Sequence, residues 1–289
     1  MKKAFVAIGF VFLLASCSKS DNVNTPETVV ASETKNVAYA TTDPQEKMDV
    51  YLPAGRSTTN TNCIVVIHGG SWSSGDKADM DSGITALRPL LSSYAVFNIN
   101  YRLANGTTVL SAEQINDVNA AVDFIVSKAT EYKVNANKIV MLGASAGAHL
   151  AMIKAYKYNA DGRVKAMVDL FGPNDLTWMY NNQPYYLSFT QAVLTNLMGV
   201  GQPANPALYQ AASPINFVTA TAPPTQILHG TADSIVPISE SQRLNVKLNT
   251  AGVTHEYIAY TGGGHGTWDS PTWTNAYGKM AAFIKTYVP

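Results

Sequence analysis

Short apolar runs alternate with longer segments of helical period along most of the chain. Eight runs rich in β-branched and aromatic residues predict strands at Val37–Ala40, Met48–Leu52, Cys63–Ile67, Ala95–Asn100, Lys138–Leu142, Ala166–Phe171, Thr225–Leu228 and Glu256–Tyr260. The later runs are almost entirely apolar, which is typical of strands buried on both faces of a parallel sheet. The pattern predicts an α/β fold with a mostly parallel central sheet and helices on both faces.

Helices are expected between these strands. The best marked begins at Ser111, where Ser111 and Gln114 have the spacing of a capping box. Its apolar face comprises Ile115, Val118, Val122 and Ile125. Further helices are predicted after Ser145, Pro237 and Thr272.

One stretch breaks the alternation. Between Phe171 and Thr225 lie roughly 50 residues without a clear strand, and a loop of that length is usually functional or carries its own helices. We predict a lid-like insertion at about residues 174–222. Its aromatic residues are candidates to contact a substrate together with Trp72, while packing of the insertion's own core remains the alternative. The candidates are Trp178, Tyr180 and Tyr185.

The amino-terminal residues have the composition of an export signal. Lys2 and Lys3 precede an apolar stretch, Ala4–Ala15, of 12 residues, whereas a membrane-spanning helix needs about 20. The following Leu-Ala-Ser-Cys ending at Cys17 resembles a bacterial lipoprotein box. That resemblance implies a signal peptide over residues 1–16 and an exported protein held on a membrane, facing the periplasm or the cell surface, by lipidated Cys17. An ordinary signal peptide is the alternative.

The polar segment 17–36 has almost no large apolar residues and is predicted to be a flexible tether. The folded domain is expected at 37–289. Lysine and arginine number 20, and aspartate and glutamate also number 20, so no excess of positive charge favours nucleic acid as a partner. Apart from Cys17 the one cysteine is Cys63, predicted to be a small buried side chain. No cluster of histidine, cysteine or carboxylate has the spacing of metal ligands, so neither a metal nor another cofactor is expected.

The strongest chemical signal is Gly143-Ala144-Ser145-Ala146-Gly147, placed between a predicted strand and a predicted helix. A serine in so tight a strand-to-helix turn needs small neighbours, and its hydroxyl projects above the edge of the sheet. The helix that begins after Ser145 adds partial positive charge where an oxyanion would form. This context predicts that Ser145 is a nucleophile.

A second glycine motif supports this interpretation. The strand Cys63–Ile67 is followed by His68-Gly69-Gly70-Ser71-Trp72. Glycine lets backbone N–H groups approach a reacting carbonyl, and each such donor typically contributes about 100-fold to 1000-fold in rate. We predict an oxyanion hole formed by Gly69 and Gly70 on one side and Ala146 on the other.

A general base and its acid should follow the serine in the order acid, then histidine. His265 lies among glycines after the last predicted strand, and Asp233 follows the strand before it. We predict that Ser145, Asp233 and His265 form a catalytic triad. Asp175 and Asp269 are the alternative acids.

The remaining histidines near these motifs have structural interpretations. His149 lies inside the helix after Ser145 and should contact a neighbouring element rather than act as the base. His68 is expected to brace the oxyanion loop by hydrogen bonding, and His229 to do the same for the Asp233 loop.

These motifs resemble those of the secreted esterases and lipases of the α/β-hydrolase superfamily, above all the branch with bacterial acetyl and feruloyl esterases. Further matches are Asn100-Tyr101-Arg102, Asp117 with Ala120 and Ala121, and Ala212-Ser213-Pro214-Ile215. The chain departs from the commonest oxyanion pattern because Ser71 stands where a third glycine is frequent.

The resemblance implies an α/β-hydrolase fold and a serine carboxylic ester hydrolase. Its expected substrates are short-chain or aromatic acyl esters, carried on an oligosaccharide or polysaccharide, because the insertion is rich in tyrosine, tryptophan and amide side chains rather than aliphatic ones. An arylformamidase or amidase is the alternative enzyme, since such enzymes share the His-Gly-Gly-x-Trp signature. A non-catalytic binding lipoprotein on the same fold is the alternative from another class.

Overall fold

A single mixed sheet organises the protein. The computed structural model describes residues 29–105 and 110–289. The sheet order is β1-β2-β4-β3-β5-β6-β7-β8. The strands are β1 (Ser32–Ala38), β2 (Lys47–Leu52), β3 (Asn62–Ile67), β4 (Ala95–Ile99), β5 (Asn135–Ala144), β6 (Val164–Leu170), β7 (Thr225–Gly230) and β8 (His255–Tyr260). In this order, every pair from β4 to β8 is parallel. By contrast, β1 pairs antiparallel with β2, and β2 pairs antiparallel with β4. Every predicted strand overlaps an observed one, and the mostly parallel sheet is confirmed.

The helices follow the predicted alternation. They are α1 (Asp81–Leu87), α2 (Leu110–Ser127), α3 (Ala129–Tyr132), α4 (Ala146–Lys157), α5 (Leu176–Asn182), α6 (Leu187–Met198), α7 (Pro206–Ala211), α8 (Ser239–Thr250) and α9 (Ser270–Tyr287). The side chain of Ser111, and with it the predicted capping box, lies outside the described residues. Across the described ranges, no helix has both the length and the hydropathy that crossing a membrane requires.

The two faces of the sheet are covered by different helices. Alternate side chains of β3 separate into two clusters: Cys63, Val65 and Ile67 join the core under α2 and α4, whereas Ile64 and Val66 join the core under α1 and α9. This alternation is the two-residue period of a strand buried on both faces. Helices on both faces are therefore confirmed.

The first strand corrects the predicted boundary of the tether. Residues 32–36, assigned to the tether, belong to β1, whose backbone pairs with β2 from Ser32 to Ala38. An edge strand is held by ladder hydrogen bonds and needs little apolar burial, so its polar, mostly exposed side chains gave no strand signal. One of them, Lys35, places its Nζ 3.2 Å from the buried carboxylate of Asp49.

The insertion carries its own helices. It contains α5, α6, α7 and two 3-10 turns, Gln202–Ala204 and Pro214–Phe217. Leu194, Leu197 and Tyr209 are fully buried and share one hydrophobic cluster with α2 and α4. The insertion therefore extends the core on that face of the sheet.

Candidate active site

Ser145 occupies a strained turn between β5 and α4. Its backbone has φ 53° and ψ −121°, a conformation that residues other than glycine rarely adopt. Two neighbouring glycines make the turn possible, because a Cβ on Gly143 would lie 2.4 Å from the backbone of Gly147, and one on Gly147 would lie 2.2 Å from the Ile67 carbonyl oxygen. The turn places the Ser145 side chain at the carboxyl edge of the parallel strands.

A continuous series of hydrogen bonds joins three of the predicted site residues. Ser145 Oγ lies 2.9 Å from His265 Nε2, and His265 Nδ1 lies 2.7 Å from Asp233 Oδ2. In the arrangement that suits a base, Nδ1 donates to the carboxylate and Nε2 accepts from the hydroxyl. The structure thus brings together Ser145, His265 and Asp233.

Asp233 is held as a buried carboxylate. Burial alone would raise its pKa, but hydrogen bonds from His229 and His265 outweigh burial and lower the pKa to about 2. The other oxygen, Oδ1, accepts from the backbone N–H groups of Ile235 and Val236 at 2.9 and 3.0 Å. His229 Nε2 lies 3.1 Å from Oδ2, so His229 braces this loop as predicted.

Phe171 supports the His265 ring, a contact that sequence reasoning missed. The two ring centroids lie 4.8 Å apart at 63°, and the Phe171 ring also packs edge-on against Trp268. Phe171 has a positive φ of 45°. An apolar residue at a strand end gives no sequence signal for such a backbone.

The loop after β3 brings glycines against the serine. A Cβ on Gly69 would lie 3.2 Å from Ser145 Cβ, and Gly70 has a φ of +114°, where a Cβ would meet the Ser74 carbonyl oxygen at 2.0 Å. Within the described ranges, the backbone N–H groups of Gly69, Gly70 and Ala146 make no hydrogen bond to another protein atom. Free N–H groups beside a serine can donate hydrogen bonds to a developing oxyanion.

His68 braces this loop as predicted. Its ring stacks on Tyr101, with centroids 4.5 Å apart, and Nδ1 lies 2.6 Å from the Gly69 carbonyl oxygen. Burial lowers the pKa of His68, which favours the neutral ring with Nδ1–H as the donor. Tyr101 Oη also donates to the His68 carbonyl at 3.2 Å.

Trp72 is fixed by His149. The indole Nε1 donates to His149 Nδ1 at 3.2 Å, and His149 Nε2 lies 2.8 Å from the Ala212 carbonyl. Burial lowers the pKa of His149 to about 4, so the ring is neutral and cannot serve as the base for Ser145. Trp72 is 3% exposed, and its N–H is already occupied by His149.

A cavity of about 700 Å³ opens beside the serine, on the α1 and α9 face of the sheet. Besides Ser145, Gly69, Gly70 and His265, its walls include Asp79, Met80, Ile84, Leu87, Phe171, Trp273, Tyr277 and Met280. The volume suits a ligand of the size that enzyme pockets usually bind. Its lining includes no residue from 174–222, so the predicted lid does not form this cavity.

Three predicted substrate contacts are therefore wrong for this cavity. Trp178 lies in a separate groove under the guanidinium group of Arg243. Tyr180 packs against Tyr209, with ring centroids 5.4 Å apart, and Tyr185 is 60% exposed. These aromatics build the insertion or its surface, since α5 packs on α6 and α7 while α6 packs on α2.

The alternative acids have other partners. Asp175 caps α5 through the Trp178 N–H and pairs with Arg243. Asp269 caps α9 through the Thr272 N–H. In the part of the chain that the structure describes, no group of three or more histidine, cysteine or acidic side chains could hold a metal ion.

A sequence profile of the BD-FAE family matches residues 48–248, more than half of the chain. The chain belongs to the BD-FAE family. Esterase LipQ of Mycobacterium tuberculosis is 27% identical in an alignment of 258 positions that covers 84% of this chain and 59% of LipQ. This member of the BD-FAE family thus spans about three fifths of the length of that relative.

Solved structures identify the fold. A bifunctional GH43-CE protein of Bacteroides eggerthii superposes with a TM-score of 0.76 at 26% identity, covering 89% of this chain and 38% of that one. A truncated carbohydrate esterase from gut microbiota gives a TM-score of 0.73 at 28% identity and covers 89% and 98%. The α/β-hydrolase fold and the resemblance to its esterases are therefore confirmed.

Proposed function

We propose that the protein is a serine carboxylic ester hydrolase that works through an acyl-enzyme. The observation that carries the proposal is the series from Ser145 Oγ through His265 to a buried, ionised Asp233. Membership of the BD-FAE family supports it, as do relatives and neighbours that are themselves named esterases.

In the first half of the reaction, Ser145 Oγ attacks the ester carbonyl carbon while His265 Nε2 takes the hydroxyl proton. The carbonyl oxygen becomes an oxyanion, which accepts from the N–H groups of Gly69, Gly70 and Ala146. The carbon–oxygen bond to the alcohol then breaks, and His265 returns the proton to the departing oxygen. Asp233 stabilises the imidazolium between these two transfers.

In the second half, a water molecule attacks the acyl carbon bound to Ser145. His265 takes a proton from this water, and the tetrahedral oxyanion forms again at the same N–H groups. Collapse breaks the bond to Ser145 Oγ, which regains its proton from His265. The products are a carboxylic acid and the unmodified serine.

The substrates that we propose are short-chain or aromatic acyl esters of oligosaccharides or polysaccharides. The cavity combines aromatic walls, Trp273 and Tyr277, with polar groups from Asp79, Ser82 and Ser270. Aromatic faces and hydroxyl or carboxylate groups together suit sugar rings better than long alkyl chains. The kcat/KM on p-nitrophenyl esters should therefore fall from acetyl or butyryl to decanoyl.

The test is turnover of p-nitrophenyl acetate, together with release of acetate or ferulate from acylated polysaccharide. Ser145→Ala should lower kcat by as much as roughly a millionfold. The control is Ser127→Ala, whose hydroxyl bonds only a helix carbonyl on the surface. A Ser145→Ala variant with a tenth of the wild-type rate would contradict the assignment. Faster cleavage of aryl formamides than of any ester would favour the amidase, and no turnover by folded wild type would favour a binding protein.

We also propose that the protein is exported and anchored through lipidated Cys17. The support is the sequence motif alone, since residue 17 lies outside the described residues. Cys17→Ser should move the protein from the detergent-extracted membrane fraction to the soluble fraction.

A further inference from the structure

The loop that follows β3 has an unusual backbone conformation over three consecutive residues. Gly70, Ser71 and Trp72 all have positive φ, at 114°, 50° and 60°. A positive φ is uncommon for residues other than glycine, and for a side chain as bulky as tryptophan it is strained. Such a conformation persists only where the surrounding structure holds it. The contacts of Trp72 therefore help to fix the loop that carries the N–H groups of Gly69 and Gly70.

Both ends of Trp72 are held by hydrogen bonds. Its backbone carbonyl accepts from Gln114 Nε2 and from the Ala104 N–H, each at 2.8 Å. Its indole N–H donates to His149 Nδ1 at 3.2 Å, and the two rings meet edge to face at 89°. Trp72, Gln114 and His149 are each at most 3% exposed. Water therefore does not compete for the bonds between their side chains.

His149 belongs to the helix that begins after the nucleophile. It lies on the first turn of α4, where its backbone N–H donates to the Ser145 carbonyl at 3.1 Å. An indole nitrogen is a donor only, so His149 Nδ1 must accept and the ring proton lies on Nε2. Nε2 then donates to the Ala212 carbonyl at 2.8 Å, at the end of α7. One neutral ring thus joins the loop after β3, the helix α4 and the insertion.

The candidate oxyanion hole is assembled from two of these elements. Gly69 and Gly70 are on the loop after β3, whereas Ala146 is the first residue of α4. The hydrogen bond between Trp72 and His149 is a side-chain link between the same two elements. Donors that are fixed before the reaction stabilise an oxyanion best, and a displacement of about 1 Å can lower a rate by about 100-fold.

We propose that His149 is a positioning residue for the oxyanion hole, because its ring holds the Trp72 indole and thereby keeps Gly69 and Gly70 opposite Ala146. This inference rests on the proposed ester hydrolysis, in which these N–H groups bind the oxyanion. His149 exchanges no proton with the substrate and acts only through Trp72. Its loss should weaken binding of the tetrahedral oxyanion without weakening binding of the ester.

The experiment compares two substitutions that keep different halves of the ring. In His149→Asn, the amide oxygen lies near the position of Nδ1 and can still accept from the Trp72 indole. In His149→Gln, the longer side chain reaches toward the position of Nε2. Its amide can donate to the Ala212 carbonyl, but the indole N–H is left without an acceptor.

The first readout is kcat and KM for p-nitrophenyl acetate, with thermal unfolding to establish that each variant is folded. His149→Asn should keep kcat within about threefold of wild type. His149→Gln should lower kcat by about 10-fold to 100-fold and change KM by less than about twofold. A merely structural role would not separate kcat from KM in this way.

The second readout is inhibition by an alkyl trifluoromethyl ketone. Ser145 Oγ adds to its carbonyl carbon, the carbonyl π bond becomes a hemiketal oxyanion, and the hydroxyl proton moves to His265. In His149→Gln, the Ki should rise by about the same factor as kcat/KM falls. In His149→Asn, the Ki should stay within about threefold of wild type.

Trp72→Phe tests the same link from the other side, because phenylalanine keeps an aromatic ring and has no N–H. It should lower kcat by about the same factor as His149→Gln, and it replaces that variant if His149→Gln fails to fold. With Phe at position 72, asparagine and glutamine at position 149 should differ in kcat by less than about twofold, since no indole N–H remains.

The matched control is His255→Gln, which makes the same substitution at the partly buried histidine that begins β8. It should leave kcat and Ki within about twofold of wild type. Equal kcat in folded His149→Asn and His149→Gln would overturn the inference, as would a Trp72→Phe variant with wild-type kcat and Ki. A rise in KM that accounts for the whole loss of kcat/KM would also overturn it. Absence of ester hydrolysis by folded wild type would instead refute the proposed function.

Discussion

Asp233→Asn is the most informative perturbation of the candidate site, because both carboxylate oxygens are fully occupied. Oδ1 accepts from two backbone N–H groups, and Oδ2 faces His265 and His229. An asparagine has one oxygen and one NH₂. With its oxygen toward the backbone pair, the NH₂ group faces His265 Nδ1.

The expected loss of kcat follows from the tautomer of His265. An NH₂ donor beside Nδ1 forces His265 to carry its proton on Nε2, where it cannot accept from Ser145. The corresponding change in another serine hydrolase lowers kcat by about 10,000-fold, which corresponds to about 5 kcal/mol of transition-state stabilisation. Stability should change far less, because the backbone hydrogen bonds to Oδ1 are retained.

The assay is kcat for p-nitrophenyl acetate, with thermal unfolding to establish that the variant is folded. Asp175→Asn is the control, since Asp175 also follows a strand but pairs with Arg243 and the amino end of α5. It should keep kcat within about threefold of wild type. A larger loss from Asp175→Asn than from Asp233→Asn would move the acid to the other strand end and refute the reasoning.

Three further predictions follow from the buried and terminal residues. Phe171→Leu should lower kcat by up to about 10-fold with KM little changed, because the ring that supports His265 is lost. Burial raises the pKa of Asp169 to about 7, so folding favours its protonated form and wild-type stability falls as pH rises from about 4 to 7. The free energy of unfolding of Asp169→Asn relative to wild type, measured in urea, should therefore increase by about 2 kcal/mol between pH 5 and pH 7. A difference between the two proteins that does not change with pH would contradict the raised pKa of Asp169. Cys17→Ser should leave the specific activity of the folded domain unchanged, and a variant that stays in the membrane fraction would exclude lipidation as the anchor.

The site residues that could be predicted are those with a local signal in the sequence. Ser145 and Gly70 have positive φ values that few residues tolerate, and Gly69 lies too close to Ser145 to carry a Cβ easily, so the sequence marks these positions directly. His265 and Asp233 were found because parallel strands place their carboxyl ends at one edge of a sheet. Each of these predictions needs only the type of residue and the secondary-structure element that precedes it.

The large cavity could not be predicted because its walls come from helices distant in sequence. Leu87 of α1 and Met280 of α9 have the apolar period of ordinary core helices. Whether such residues meet without filling the space between them depends on the tertiary placement of both helices. Trp273 and Tyr277 therefore gave no sign of lining a cavity.

The substrate contacts predicted for the insertion were wrong for a related reason. Its amide side chains suggested sugar binding, but Gln183 donates to the Ser234 carbonyl and accepts from the N–H groups of Tyr185 and Tyr186. Composition records that polar groups are present. It does not record whether the backbone already satisfies them.

The register of β1 determines the direction from which the chain enters the domain. Ser32 pairs with Leu52, and β2 in turn runs antiparallel to β4, so β1 begins beside the amino ends of the parallel strands. Arg56 and Gly55 hold Val30 and Val29 at that end. Ser145 lies at the opposite end, roughly 20 Å further along the strand direction for strands of about six residues. If Cys17 is lipidated, the anchor therefore joins the domain at the end of the sheet opposite Ser145.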